Sequence, residues 1–254
     1  MDSRVLAPRE LSEGQLQAMF GLMQAHYDGT EPAVFRRDLA CKDYVILLEE
    51  GGRLVGFSTQ QLVEFEGVRG VFSGDTIIHR DHWGSPRLSQ QFARFFVPFG
   101  RHEPFYWFLI SKGYKTYKFL PTFFVDFHPR QGVQTPPEAQ ALIDSFGARF
   151  FPGEYDPGSG VVHYRGPKDR LRPELQDLPE RPEDPDWRFF LQRNPGFRQG
   201  HDLVCLARLH PENLKPRARR LLLGAHAGKT REAGQAGHSG RAREADPSGP
   251  PLSR

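Results

Sequence analysis

The densest run of chemically useful side chains is Asp75-Thr76-Ile77-Ile78-His79-Arg80-Asp81-His82-Trp83-Gly84-Ser85-Pro86-Arg87-Leu88. Its second half reads as a loop feeding a helix, because Ser85 can cap and Pro86 suits a first helical position. Helix starts leave backbone N–H groups unpaired and carry partial positive charge, so such a loop can cradle a phosphate. A well-capped helix start explains the same residues with no ligand. Asp75 can act as a general base through water, or serve as a turn aspartate beside Gly74. His79 and His82 are bases or hydrogen-bonding groups. With Asp81 they form His-x-x-His plus one carboxylate, but no further ligand lies at a helpful spacing, so no metal is expected. Tyr114 and Tyr117, a helical turn apart, are phenols that can donate a proton or simply pack. The chain has no Gly-x-Ser-x-Gly elbow. Cys41 and Cys205 sit among apolar neighbours and read as core residues, so a cysteine nucleophile is not expected.

The elements that must position these groups follow from periodicity. Ser12 and Gln15 form a capping box, and Leu16, Met19, Phe20 and Met23 recur at helical spacing behind it. A second helix starts near Thr30 and Pro32. Tyr44–Leu48, Leu54–Val63 and Val71–Ile78 are apolar runs joined by short glycine-bearing turns, which predicts an antiparallel meander. The loop and its helix, to about Val97, then lead to Phe105–Ile110. Strand, helix, strand makes a βαβ unit whose strands should be parallel neighbours. A further helix is expected over Ser111–Leu120, stopped by Pro121. Beyond residue 130, Pro136-Pro137 opens another helix and Asp156-Pro157-Gly158-Ser159-Gly160 is a turn. Residues 166–186 read as a charged surface loop, Trp187–Arg193 as a short helix, and Leu203–Ala207 as a buried strand that can complete the main sheet.

At 254 residues the chain is one large domain, or one domain with an extension. Three segments are expected: a core over 1–130, an extension over 131–224 packing on or completing the sheet, and a disordered tail over 225–254, where Gly, Ala, Ser, Arg and Pro dominate. The longest apolar runs are far short of the roughly 20 residues of a spanning helix, so no membrane span is expected. With no apolar leader and two cysteines, a reduced, cytoplasmic protein is the expectation. A net charge of +3 from 34 basic and 31 acidic residues does not suggest a nucleic-acid partner. Phe supplies 21 residues, several in pairs (Phe95-Phe96, Phe123-Phe124, Phe150-Phe151). These pairs fill a core or line an apolar tunnel.

Helices, a meander, then a βαβ unit with a loop at the helix start: this order resembles the GNAT superfamily of acyl-CoA N-acyltransferases. The resemblance covers roughly residues 12–125 and rests on Asp75–Leu88 and on Tyr117-Lys118-Phe119-Leu120-Pro121. It implies an α/β (α+β) fold with a GNAT-like mixed sheet. It also implies a pantetheine arm paired with backbone groups of Ile77, Ile78 and His79, and a pyrophosphate cradle at Gly84, Ser85, Arg87 and Leu88. Tyr117 would be the acid for the leaving thiolate, with Tyr114 in reserve, and Asp75 the base. The implied activity moves an acyl group from a pantetheine thioester to a small-molecule amine. The donor is an acyl-CoA or an acyl carrier protein, the latter met by Arg80, Arg87 and Arg94. Trp83 stands where the family has Arg or Gln, and Pro86, which has no N–H, stands near its second glycine. These departures favour an alternative, a catalytically inactive GNAT-fold module that binds a ligand or a protein. They also weaken the phosphate cradle.

Overall fold

The computed structural model describes residues 1–165, 170–176 and 181–224. The expected tail, residues 225–254, lies outside them. The chain enters as β1 (Asp2–Leu6), followed by α1 (Glu13–His26), β2 (Tyr27–Asp28) and α2 (Pro32–Ala40). The capping box starts α1: the Ser12 hydroxyl accepts from the Gln15 N–H, and the Gln15 side chain accepts from the Ser12 N–H. The meander follows as β3 (Tyr44–Glu50), β4 (Arg53–Phe65) and β5 (Val68–Ile78). Then come α3 (Arg87–Phe96), β6 (Phe105–Ser111), α4 (Tyr114–Tyr117), α5 (Phe119–Phe123) and α6 (Pro137–Phe150). The last third supplies β7 (Tyr155–Asp156), β8 (Val161–Val162), β9 (Arg170–Leu171), α7 (Pro173–Gln176), α8 (Pro185–Arg193), β10 (Asp202–Arg208) and α9 (Pro216–Leu223).

Among the described residues, eight strands form one sheet in the order β1-β3-β4-β5-β6-β10-β8-β7. Every pairing is antiparallel except that of β5 with β6, the pair joined by the α3 crossover. The strands are continuous apolar runs because both faces are covered. On one face Ile46, Leu48, Val71, Trp107, Leu109 and Cys205 pack with Leu88, Phe92 and Phe96 of α3, Phe190 of α8 and Leu222 of α9. On the other, Val45, Leu47 and Phe57 meet Met19 and Met23 of α1 and Phe35 of α2, while Phe72, Phe108 and Val204 meet Phe146 and Phe150 of α6.

Three local expectations are corrected. The helix over Ser111–Leu120 is two short ones: Ser111 ends β6, paired with Leu203, and Lys118 separates α4 from α5. Pro121 lies in the first turn of α5, where no intrahelical N–H bond is due. The charged segment after residue 166 is not a plain surface loop. Its described part pairs β9 with β2, through Tyr27–Leu171 and Asp28–Arg170, and turns into α7 with Leu175 buried. Cys41 is exposed, one position past the end of α2, while Leu39 faces the core. Cys205 is buried, and that burial pushes its thiol up to about 12.

Candidate active site

The site begins with a bulge. Ser58 faces Thr76 across the β4–β5 ladder, but Gln60 faces Ser73, so β5 carries one extra residue at Gly74-Asp75. Bulges bend a strand and reset which side chains face which way. Phe72 and Ile77 therefore point to the same face of the sheet although five positions apart. At the same level β5 and β6 part: their ladder ends at Ser73–Leu109, while β5 runs on to Ile78 against β4 alone. The His79 N–H donates to the Val55 carbonyl at 2.8 Å. Backbone groups alternate along a strand, so those of Ile77 also face β4, and those of Thr76 and Ile78 face the gap that β6 has left.

The gap is a cleft of about 310 Å³. Its floor is Thr76, Ile77 and Ile78, with His26 and Tyr27 from the end of α1 on one side and Lys112, Gly113, Tyr114, Lys115 and Thr116 on the other. The last third of the chain closes it with Leu171, Leu175, Trp187, Leu191, Phe197 and Arg198. Half of this lining is apolar. The charged groups among it are Lys112, Lys115 and Arg198, and among the described residues no carboxylate lines the cleft. Trp83 forms one wall. Its indole N–H donates to the Ile78 carbonyl at 2.8 Å, and the Lys115 ammonium lies 3.0 Å from its ring centre. Partial burial, then the Arg80 charge, lowers the Lys115 pKa from its ordinary value. The Tyr114 hydroxyl donates to Asp184 at 2.6 Å, and Lys118 donates to the same oxygen at 2.8 Å. Partial burial works to raise the Asp184 pKa, but these hydrogen bonds outweigh it and hold the carboxyl at about 2. Burial, then Asp184, pushes the Tyr114 phenol well above its ordinary range, so it keeps its proton.

An antiparallel meander, a βαβ unit, and a parallel pair that parts beside a bulge complete the pattern that the sequence resembles. This is a GNAT-like fold. No family model and no curated protein matches the sequence. Among solved structures, Escherichia coli ElaA aligns at 19% identity and a TM-score of 0.35, over 53% of this chain and 92% of its own. The ribosomal-protein-alanine N-acetyltransferase of Brucella melitensis biovar Abortus 2308 aligns at 17% identity and 0.28, over 35% of this chain and 64% of its own. The N-acetylglutamate synthase of Neisseria gonorrhoeae, solved with coenzyme A and N-acetyl-glutamate, aligns at 12% identity and 0.39, over 83% of this chain and 36% of its own. At such scores no role of theirs transfers to this chain.

Within this cleft the residues singled out from sequence scatter. Ile77 and Ile78 line it, but Ile77 and His79 spend their backbone groups on β4. The Ile78 carbonyl faces the gap, accepts from Trp83, and lies 3.1 Å from Nε2 of His26, whose Nδ1 lies 2.8 Å from the Leu22 carbonyl. Gly84, Ser85, Arg87 and Leu88 are outside the lining. Leu88 is buried against the sheet, and the Ser85 hydroxyl takes up the Arg87 N–H at 3.4 Å; the expected cap is corrected, because Pro86, not Ser85, is the N-cap residue of α3 and the helix begins at Arg87. Asp75 sits on the bulge, buried, its N–H donating to the Thr59 hydroxyl at 3.0 Å. Tyr117 is fully buried. Its hydroxyl donates to the Pro129 carbonyl at 3.0 Å and its ring packs on Phe127, Phe189 and Phe190, so it points away from the cleft that Tyr114 lines. None of the three phenylalanine pairs lines the cleft, which leaves them as core. Among the described residues no group of three His, Cys, Asp or Glu side chains could hold a metal. None of the helices there is long and apolar enough to cross a membrane. Sequence reasoning missed Lys112, Lys115, Arg198 and Asp184. The first two stood beside Tyr114 in a helix expectation, where only the tyrosines drew attention.

Proposed function

We propose that the protein is an acyltransferase that takes an acyl group from an acyl-CoA and gives it to a small-molecule amine. The observation that carries this reading is the cleft itself. It opens where the parallel strands part, and it joins an apolar half to three cations with no carboxylate among its described lining residues. Such a lining suits a long donor with an apolar acyl end and a phosphate end. Lys115 and Arg198 would take the phosphates, a task the proline-bearing loop before α3 is poorly made for; Lys112 is already engaged by the buried Asp202 at 3.6 Å and the Gly200 carbonyl at 3.2 Å. Leu171, Leu175, Leu191 and Phe197 would take the acyl chain.

In the reaction the amine nitrogen attacks the thioester carbonyl carbon. The C–N bond forms, the C–S bond breaks, and the electron pair leaves on sulfur. Tyr114, rather than Tyr117, would give the sulfur a proton, exchanging its bond to Asp184 for one to the thiolate and taking a proton back from water. The surplus proton of the amine leaves to water, since Asp75 is buried on the bulge and is not among the cleft's lining residues. Isothermal calorimetry tests the donor: micromolar binding of coenzyme A, with tighter binding of medium-chain acyl-CoA, supports the reading. Absence of coenzyme binding beside turnover with an acyl carrier protein thioester would replace coenzyme A by a carrier docked on Arg80, Arg87 and Arg94.

One observation favours a second reading, a binding module without turnover. The Ile78 carbonyl, which a pantetheine amide would use, already accepts from the Trp83 indole, with the His26 ring packed beside it. Coenzyme binding with no thiol release from any acyl-CoA and amine pair would establish that alternative.

A further inference from the structure

Behind the cleft floor runs a chain of side-chain hydrogen bonds with a defined direction. The Trp107 indole N–H donates to the Ser73 hydroxyl at 2.8 Å. Ser73 donates to the Gln60 side-chain oxygen at 2.7 Å, and the Gln60 amide nitrogen donates to the Ser58 hydroxyl at 2.7 Å. Ser58 and Thr76 lie 2.7 Å apart, oxygen to oxygen, across the β4–β5 ladder. Trp107, Ser73, Gln60 and Ser58 are all buried, whereas Thr76 is exposed and lines the cleft. An indole N–H can only donate, and the sense that gives every buried hydroxyl proton an acceptor within the chain runs from Trp107 to Thr76. Having accepted from Trp107, Ser73 has its proton to give. The Gln60 oxygen takes it, so the amide end turns to Ser58, and Ser58 passes its own proton to Thr76. Reversing Gln60 would leave the buried Ser73 hydroxyl proton with no acceptor in the chain, a costly arrangement. At the far end the Thr76 oxygen is an acceptor already used, and its O–H is the donor at the exposed end of the chain, the second Gln60 amide proton being buried.

We propose that Thr76 is a substrate-contacting hydrogen-bond donor, aimed by this relay at the carbonyl oxygen of the acyl group. Trp107, Ser73, Gln60 and Ser58 are positioning residues. The inference rests on the acyl-donor reading above and adds to it where the acyl carbonyl sits: over the floor of the gap, at the bulge, rather than at the loop before α3. Negative charge that grows on that oxygen during attack is met by a donor that has no competing acceptor within the relay. Because the alignment is built into the fold, it costs no reorganisation when substrate arrives.

The test uses the full chain and two ligands, coenzyme A and a ketone analogue of acetyl-CoA in which a methylene separates sulfur from the carbonyl. The analogue keeps the acyl oxygen and cannot be cleaved. Thr76→Val preserves shape and removes the donor. It should weaken the analogue about five- to tenfold while leaving coenzyme A within twofold, and Thr76→Ser should restore the analogue. Trp107→Phe, which removes the donor that orders the relay, should weaken the analogue several-fold in the same selective way. A Ser58→Ala variant checks the relay without touching the large ring. Equal loss for both ligands in Thr76→Val, or no loss for either, overturns the proposal and leaves the donor reading intact. Failure of the unaltered protein to bind either ligand overturns the donor reading and this proposal with it.

Discussion

Tyr114 and Tyr117 stand one turn apart, and replacing each by Phe separates a role in the cleft from a role in the core. Tyr117→Phe removes a hydroxyl that no water reaches and leaves the Pro129 carbonyl without this donor. A buried hydrogen bond lost in this way costs about 1–2 kcal/mol. For a chain of this size each kcal/mol moves Tm by about 2–4 °C, so Tm should fall by about 2–8 °C. Turnover at 25 °C should stay within about twofold, because the residue does not line the cleft. Tyr114→Phe removes a bond to Asp184, but Lys118 and the Asp186 N–H still hold that carboxylate. Its stability cost should be about 1.5 kcal/mol, the lower end for a bond to a charged group. Its effect on turnover should be about ten- to a hundredfold, the scale of one proton-transfer group, with little change in donor binding. Thiol release from an acyl-CoA in the presence of amine, read with a thiol-reactive chromophore, measures the turnover of each variant, and calorimetry measures its donor binding. A tenfold loss of turnover in Tyr117→Phe with none in Tyr114→Phe would refute the assignment, and with it the reading of which face of α4 meets substrate.

Arg198→Gln should weaken coenzyme A about tenfold at low salt and flatten the salt dependence of its affinity, both read by calorimetry, since it removes one of three cations from the lining. Asp184 is held at about 2 against an ordinary 3.8, so the stability it contributes is present above that ordinary value and is lost as pH falls toward 2. Chemical denaturation should therefore show the parent losing more stability than Asp184→Asn between about pH 4 and pH 2, and parallel losses would count against it. Gly100→Ala would put a Cβ 1.8 Å from the Leu209 carbonyl oxygen, backbone that cannot yield cheaply, so a loss of about 3 kcal/mol or more is expected in urea titration.

Much of the frame was legible in the residues. The capping box before α1, the meander, the α3 crossover and the buried strand at Leu203–Ala207 all announce themselves through spacing. Other features have no local signature. The first strand, Asp2–Leu6, is half exposed and mixes charge with apolar residues, and it exists because the edge of β3 is there to pair with it. The bulge at Gly74-Asp75 shifts the alternation of β5 by one, which decides whether Ile77 or Thr76 offers its backbone to the gap, and no periodicity within β5 shows it. Tyr114 and Tyr117 look alike in sequence. What separates them is α8, whose capping residue Asp184 draws one hydroxyl to the cleft while Phe189 and Phe190 enclose the other ring. The cleft cations were hidden for a similar reason: Arg198 and Lys112 are 86 positions apart and meet only when the last third of the chain folds over the gap.

The pairing of β6 with β10 sets the moment in synthesis at which this molecule becomes safe. Until residue 208 has left the ribosome, β6 offers one whole edge of Phe105–Ser111, six of its seven residues buried in the finished sheet, with nothing to pair. Unpaired apolar edges are where nascent chains stick to one another. Roughly the first 130 residues contain the meander and the crossover, yet cut there they would carry that raw edge into solution. Residues 131–224 are therefore not an appendage to be trimmed for convenience: a premature stop or a protease nick before β10 should give an insoluble product rather than a smaller folded protein.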